Sequence, residues 1–390
     1  ISQYDLPVGI NGKLQIEVGD KVREIGITRV HMEEDTGKLI HKGKSGRISG
    51  ADYSLVDFNR AGIPLVEIVS EPDIRTPEEA KAFMRKLRNI LLHLEVSDCN
   101  MEEGSLRCDA NISIREKGTK GFGTKAEIKN LNSFKALQRG LEYEIERHTR
   151  TLNSGDKIFQ ETRHFDAARN VTILLRTKEE AHDYRYFPEP DLAPMNISKD
   201  WSKDIEETLP ELPDSRKERF IRDFELSDYE ASLLSSSKPL CDYFEECLEK
   251  YKNAKQVSNW LLGDFAGALN EANLEIDECA VTPKHLIKML KMIDEGKISG
   301  KIAKVVFGEM FETGKLPGII IEEKGLVQIS DEGALEKIII QVIEEFPDQV
   351  EQYRSGKEKI FGFLVGQVMR LTQGKANPKL VNETLRKKLS

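Results

Sequence analysis

At 390 residues the chain is too long for one ordinary hydrophobic core, so two or three domains are expected. Hydrophobic content of 39% beside 32% charged residues describes a globular protein; no apolar run is long enough to cross a bilayer, and Ile1-Ser2-Gln3-Tyr4-Asp5 is no signal peptide. Five cysteines with no Cys-x-x-Cys pair argue against a disulfide framework or a cysteine zinc site and fit a reducing cytoplasm, while a net charge of −9 does not by itself announce nucleic-acid binding.

The first half has strand character. Period-2 alternation runs through residues 13–18, 22–33, 105–115 and 158–165, and Ile63-Pro64-Leu65-Val66-Glu67-Ile68-Val69 reads as a buried strand. Two helices interrupt the strands. Thr76-Pro77-Glu78-Glu79 has the form of a capping box with proline at the first helical position, followed by Ala80, Phe83, Leu87, Ile90 and Leu94 on one face. A second helix follows Ser133, with Phe134, Leu137, Leu141 and Ile145 at helical spacing. After the proline-rich stretches 187–191 and 209–213 the character turns helical, with starts at Ser227-x-x-Glu230 and Thr282-Pro283 and glycine punctuation at Gly296, Gly300 and Gly314. A break from Leu316-Pro317-Gly318 to Gly325 precedes a last helical block, whose final helix opens at Asn377-Pro378 and carries Leu380, Leu385 and Leu389. The expected layout is α+β, with a sheet-and-helix domain over 1–205, an all-α helical domain over 206–320 and a small helical tail domain over 321–390.

Three stretches could carry chemistry. In an extended Arg29-Val30-His31-Met32-Glu33-Glu34-Asp35, the side chains of Arg29, His31 and Glu33 share one face and Glu34 points to the other with Val30 and Met32. Acids after a histidine suit a hard cation such as Mg²⁺, and a solvated strand end is the plain alternative. Glu67 interrupts an apolar strand, where a carboxylate is costly unless paired, protonated or metal-bound. An ion pair with Arg60 or Arg75 is the structural alternative. From Met101 to Arg115 the alternation puts Leu106, Cys108, Ala110, Ile112 and Ile114 opposite Arg107, Asp109, Asn111, Ser113 and Arg115, and Lys125, Glu127 and Lys129 repeat the polar stripe. Such a stripe is either wet sheet surface or a phosphate and metal-water surface.

Other solutions fail on spacing. Gly43-Lys44-Ser45 resembles the end of a Walker A loop, but five residues separate Gly37 from Gly43 where the motif allows four. No Gly-x-Ser-x-Gly or His-Glu-x-x-His occurs. Any use of ATP is therefore expected without a P-loop. From Gly356 to the end, eight basic residues face two acids, a local charge of +6 that includes Arg370, Lys375, Lys379, Arg386, Lys387 and Lys388. That end is either a nucleic-acid contact or a solvated helix terminus.

Five blocks in order resemble the B subunits of aspartyl/glutamyl-tRNA amidotransferases: Ile27–Asp35, Leu65–Asp73, Met101–Asn111, Lys129–Phe134 and Asp183–Asp191, with Ser258–Leu261 and Gly325–Asp331 further on. The resemblance implies a cradle, a helical and a tail domain, the last binding tRNA. It implies that ATP phosphorylates the side-chain carboxylate of Asp or Glu misacylated onto tRNA, and that ammonia displaces phosphate to give Asn-tRNA or Gln-tRNA. An amidase A subunit supplies the ammonia and a small C subunit joins the complex, in the cytoplasm. By position, Glu34 and Glu67 match family acids linked to Mg²⁺, Asp109 matches a third acid, and Arg107 and Lys125 suit ATP-phosphate clamps by residue type. The family's N-terminal Glu-x-His segment is not within these 390 residues, so the expectation is a chain that begins downstream of part of its site. The alternatives are a non-catalytic tRNA-binding module of the same complex and an unrelated Mg²⁺-dependent phosphatase or nuclease.

Overall fold

The computed structural model describes residues 2–43, 51–177, 190–191, 193–326, 332–372 and 376–389. It forms two compact units, Ile1–Pro210 and Glu211–Ser390. The first unit begins with two long strands, Gly9–Val18 (β1) and Lys21–Glu34 (β2), followed by Lys38–Gly43 (β3), Ala51–Asp57 (β4) and Pro64–Ser70 (β5). Helix α1 (Pro77–His93) precedes β6 (Ala110–Ile112) and β7 (Ala126–Lys129), and α2 (Phe134–Asn153) precedes β8 (Glu161–Asp166), β9 (Val171–Thr177) and α3 (Lys199–Thr208). The strands make an antiparallel sheet β1-β2-β5, a β3-β4 hairpin and a four-stranded sheet β6-β7-β8-β9 whose β7–β8 pair is parallel.

Strand parity and helix periodicity build one core here. Leu14 pairs with Ile25 across β1 and β2, and with Ile16 they turn one face inward. Against it lie Ala80, Phe83 and Met84 of α1, Leu137 and Leu141 of α2, and Ile128 and Phe165 of the second sheet. Leu137 is 1% exposed, so Leu137→Ala would cost about 2–5 kcal/mol. Thr76 caps α1 as its sequence suggests, its hydroxyl accepting from the Glu79 amide at 3.1 Å. Glu79 does not complete the box. Its carboxylate takes the Arg75 amide at 2.6 Å and the Arg23 guanidinium at 2.9 Å, tying α1 to β2.

Two strand expectations change. The 105–115 segment joins a ladder only over Ala110–Ile112, because Asn100 gathers the chain before it into a turn. The Asn100 side-chain oxygen accepts from the Glu102 and Glu103 amides, and its carbonyl accepts from the Ser105 amide. The alternation itself holds, since Leu106, Cys108, Ala110 and Ile112 all pack on the core. The 63–69 strand exists as β5 but is not buried: it is the edge of its sheet, Val66 is 56% exposed and the Glu67 side chain is 50% exposed.

In the second unit the described residues fold as helices: α4 (Pro213–Phe224), α5 (Asp228–Leu234), α6 (Lys238–Lys250), α7 (Ala254–Trp260), α8 (Ala266–Ala272), α9 (Pro283–Asp294), α10 (Gly300–Thr313), α11 (Pro317–Lys324), α12 (Glu332–Glu345), α13 (Pro347–Arg354), α14 (Lys359–Leu371) and α15 (Pro378–Leu389). Ser227 and Glu230 make the full capping box at α5, and Gly314 ends α10 in the left-handed region at φ 65°. One apolar cluster runs from Phe220 to Ile321 around Phe244, Phe265 and Leu286. A separate one joins Leu335, Ile339, Val342, Leu364, Val368, Val381 and Leu385.

Candidate cation and phosphate site

The end of β2 and the edge strand β5 set His31 directly opposite Glu67, so both side chains stand on one face. Glu33, two residues on, shares that face. His31 is buried to 0% exposure, and its Nε2 lies 3.2 Å from Glu33 Oε1 and 3.0 Å from Glu67 Oε2. The three side chains can offer ligand atoms within 4.8 Å of one another. A short N-terminal segment fastens the group: the Ser2 hydroxyl donates to Glu33 Oε1 at 2.9 Å, and the Gln3 amide donates to the Met32 carbonyl at 2.9 Å.

The tautomer of His31 follows from its surroundings. Nδ1 is buried with no hydrogen-bond partner, whereas Nε2 has two carboxylate oxygens in reach. The proton belongs on Nε2, where it holds Glu33 and Glu67 together. A ligating histidine ordinarily donates its other ring N–H to an acceptor, and none stands at Nδ1 among the described residues. The set therefore fits a hard divalent cation taken by the two carboxylates, with His31 positioning them. Both acids are open enough to receive one, at 31% and 50% side-chain exposure.

Strand parity sets the expected pair Glu34 and Glu67 on opposite faces of the sheet. Glu34 pairs with Pro64 in register and points away from Glu67, its Oε1 lying 3.6 Å from where a Cβ on Gly62 would be. Among the described residues the group around His31 takes in Glu33 and Glu67 and not Glu34. The signal was available, because Glu33 is two residues from His31 and Glu34 is three.

Asp35 joins this site to the second polar stripe. Its side chain is 10% exposed, accepts from Arg107 Nη2 and from the Thr36 amide at 3.0 Å, and is ion-paired with Arg60 Nε at 3.4 Å. The Arg107 hydrogen bond, aided by Arg60 and opposed by burial, holds the Asp35 carboxyl below its ordinary pKa. Arg60 and Arg107 both also donate to the Gly104 carbonyl, at 2.9 and 3.1 Å. Gly104 is at φ 80°, and a Cβ there would meet Arg60 Nη1 at 3.2 Å, so glycine suits both the turn and the arginine. Asp35 comes two residues after Glu33 and Arg107 two before Asp109, so this bridge lays the two stripes end to end. Neither Asp35 nor Arg60 was marked as a site residue from the sequence.

On the second stripe Asp109 is paired with Lys129, which also lies 3.2 Å from Glu127. Burial works against the Lys129 charge, and the two carboxylates outweigh it, so its pKa is raised. Asp109 is thus ion-paired with Lys129 and, among the described residues, is not in the group around His31. Lys125 is exposed just before β7. Cys108, pushed up to about 12 by burial, is no nucleophile. Of the basic tail residues, Arg370 and Lys387 are exposed, Arg386 stacks on Phe361 at 4.6 Å, and Lys388 pairs with Glu336. Lys375, the Lys379 side chain, most of the 183–191 block and Val327–Asp331 lie outside the described residues.

Comparison with known proteins supplies the family. The family described as GatB/GatE catalytic domain matches residues 1–203, and that described as GatB domain matches 242–389. A Carboxydothermus hydrogenoformans protein, named as the B subunit of an aspartyl/glutamyl-tRNA(Asn/Gln) amidotransferase, is 56% identical over 390 residues, covering 100% of this chain and 80% of its own length. The chain belongs to the GatB family. GatB proteins of the same name from Caldanaerobacter subterraneus and Geobacter sulfurreducens are 57% and 54% identical over 390 and 389 residues, each with 81% of its length covered. Matches of this extent take in both units of the fold.

Proposed function

We propose that this chain is the transamidating subunit of a tRNA-dependent amidotransferase, and that its first unit activates misacylated Asp- or Glu-tRNA with ATP. The carrying observation is the His31-joined pair Glu33 and Glu67, set beside the Asp35–Arg107 bridge, in a chain over half identical to GatB relatives along its whole length. The side-chain carboxylate of the aminoacyl group attacks the γ-phosphorus of ATP and ADP leaves. Ammonia then attacks the acyl carbon of the mixed anhydride, phosphate leaves, and the nitrogen sheds a proton to give the amide.

The chain's own residues serve this chemistry by position and charge. Glu33 and Glu67, held by the His31 N–H, would hold Mg²⁺. That ion, when bound, would offset charge on phosphate oxygens. Arg107 and Arg60 fix the loops on either side through Asp35, and the exposed Lys125 presents an ammonium to an anionic substrate. Asp109 holds Lys129 on the same stripe. We further propose a cradle over 1–205, a helical domain over 206–320 and a tRNA-binding tail over 321–390, with Arg370, Lys375, Lys379, Arg386, Lys387 and Lys388 as tail contacts. An amidase subunit and a small third subunit are the partners. The setting is cytoplasmic translation; among the described residues no helix is long and apolar enough to cross a membrane.

The test is amide formation on misacylated tRNA by the assembled complex. Glu33→Gln and Glu67→Gln should each lower the rate at least 100-fold, and Glu34→Gln much less. Full activity in both of the first two would remove the cation assignment, and ATP hydrolysis indifferent to misacylated tRNA would remove the transamidation reading.

A further inference from the structure

The loop that joins β6 to β7 is cationic on a chain that is not. Between Asp109 and Glu127 stand Arg115, Lys117, Lys120 and Lys125 against the single acid Glu116, whereas the whole chain carries −9. All of these cations are exposed, and none forms an ion pair among the described residues. The register of Ala110 with Ile128 and of Ile112 with Ala126 makes residues 113–125 the tip of that hairpin, beyond the end of the stripe that carries Arg107, Asp109 and Asn111. The tip has a fixed shape. A Cβ on Gly123 would lie 2.2 Å from the Ile114 carbonyl oxygen, so glycine alone lets the two arms close. Past that neck the Thr119 amide and hydroxyl both donate to the Glu116 carbonyl, at 3.2 and 2.8 Å. Arg115 Nη1 donates to the Gly121 carbonyl, and its guanidinium lies over the Phe122 ring, the guanidinium carbon 5.3 Å from the centroid. The ring is thus backed on one side and still 64% exposed.

We propose that Phe122, backed by Arg115 in this loop of unpaired cations, is the platform on which the unpaired 3′ end of the aminoacyl-tRNA stacks as it enters the first unit. This rests on the transamidation reading above. An exposed phenylalanine alone signifies little, and lysines alone are a solvated face. A held aromatic ring among cations without counter-charges is the combination that single-stranded RNA asks for, because an unstacked base offers its π-face and each nucleotide brings a phosphate. A helical stem buries those faces in its own stack, so the fit is to an unpaired end. The reach is also suitable. Arg107 and Arg115 are eight residues apart. At ~3.3 Å per residue the stripe between them is at most about 26 Å long, room for a few extended nucleotides between the loop and the Asp35–Arg107 bridge. Stacking tolerates any base, so the platform places the end of the RNA and does not choose the tRNA.

Two RNAs separate the possibilities, both bound to the assembled complex at one salt concentration: intact tRNA, and the same tRNA trimmed of its unpaired 3′ nucleotides. The wild type should bind the intact RNA at least fivefold more tightly, and in Phe122→Ala that advantage should fall below twofold. Phe122→Tyr should keep it because the ring suffices, and Arg115→Met should lose part of it. Phe122→Leu, which keeps bulk without the aromatic face, serves in place of Phe122→Ala if that variant does not fold. In amide formation Phe122→Ala should raise KM for misacylated tRNA at least fivefold and leave kcat within threefold. Replacing Lys117 and Lys120 together by Ala should lower the slope of log affinity against log salt by about one for intact RNA and leave it unchanged for trimmed RNA. Equal wild-type affinity for the two RNAs, or an undiminished advantage in folded Phe122→Ala, overturns the platform and leaves the reaction standing. An equal loss for intact and trimmed RNA overturns it as well, since the loop then meets paired RNA. No amide from the wild-type complex removes the transamidation reading instead, and this inference with it.

Discussion

Replacing Glu144 by Gln tests how the frame behind the second polar stripe is held. Glu144, on α2, is fully buried and accepts from Arg147 Nε at 3.0 Å on each oxygen, from Arg147 Nη2 at 2.7 Å and from the Thr172 hydroxyl of β9. Arg163 of β8 lies 3.2 Å away and His148 3.3 Å. Burial alone would raise the carboxyl, but His148, Arg147 and Thr172 outweigh it and bring it from an ordinary 4.5 down to about 2. That difference corresponds to roughly 3 kcal/mol of stability at neutral pH. The sign follows from a depressed folded-state value: the contribution is complete above about pH 4.5 and is lost as pH falls toward 2. The glutamine keeps the shape and removes the charge, leaving two guanidiniums to share Glu161. Denaturant unfolding of the first unit's transition should show Glu144→Gln weaker by about 3 kcal/mol at pH 7 and by roughly half as much at pH 3. A difference below about 1 kcal/mol at pH 7, or one that does not shrink in acid, would refute the reasoning.

Asp35→Asn should loosen the junction of the two stripes, costing about 1–2 kcal/mol because both arginine partners can turn partly to water. Since Asp35 titrates below its ordinary value, the gap to wild type should be widest at neutral pH and close as pH falls, read by thermal melts across a pH series. In the tail, Lys387→Ala should weaken tRNA binding and lower the slope of log affinity against log salt by about one. Lys388→Ala should change that slope less, since Lys388 already pairs with Glu336; filter binding from low to high salt checks both. Truncation before about Gly325 should reduce tRNA affinity and its salt dependence while Mn²⁺ binding to the first unit survives, and an unchanged affinity would return the tail to a solvated surface.

The sequence by itself determined the elements and their faces wherever periodicity was long and caps were local. Thr76, Ser133 and Ser227 start helices because a side-chain oxygen three residues before an amide is a contact within one segment. The inward set Leu106, Cys108, Ala110 and Ile112 was legible from alternation even though only Ala110–Ile112 is in the ladder. The same parity puts Glu33 on the His31 face and Glu34 on the other, as the register of β2 with β5 has it. What tertiary structure alone decided was which strand lies at an edge and which groups meet across long separations. Glu67 looks buried in its own run of apolar residues, but β5 ends its sheet and leaves the side chain half in water. Asp35 finds Arg107 seventy-two residues away, and Tyr4 finds Arg29 and His31. Local propensity sets the direction of a side chain, whereas its charge partner depends on how the strands are ordered, and no periodicity within a segment carries that order.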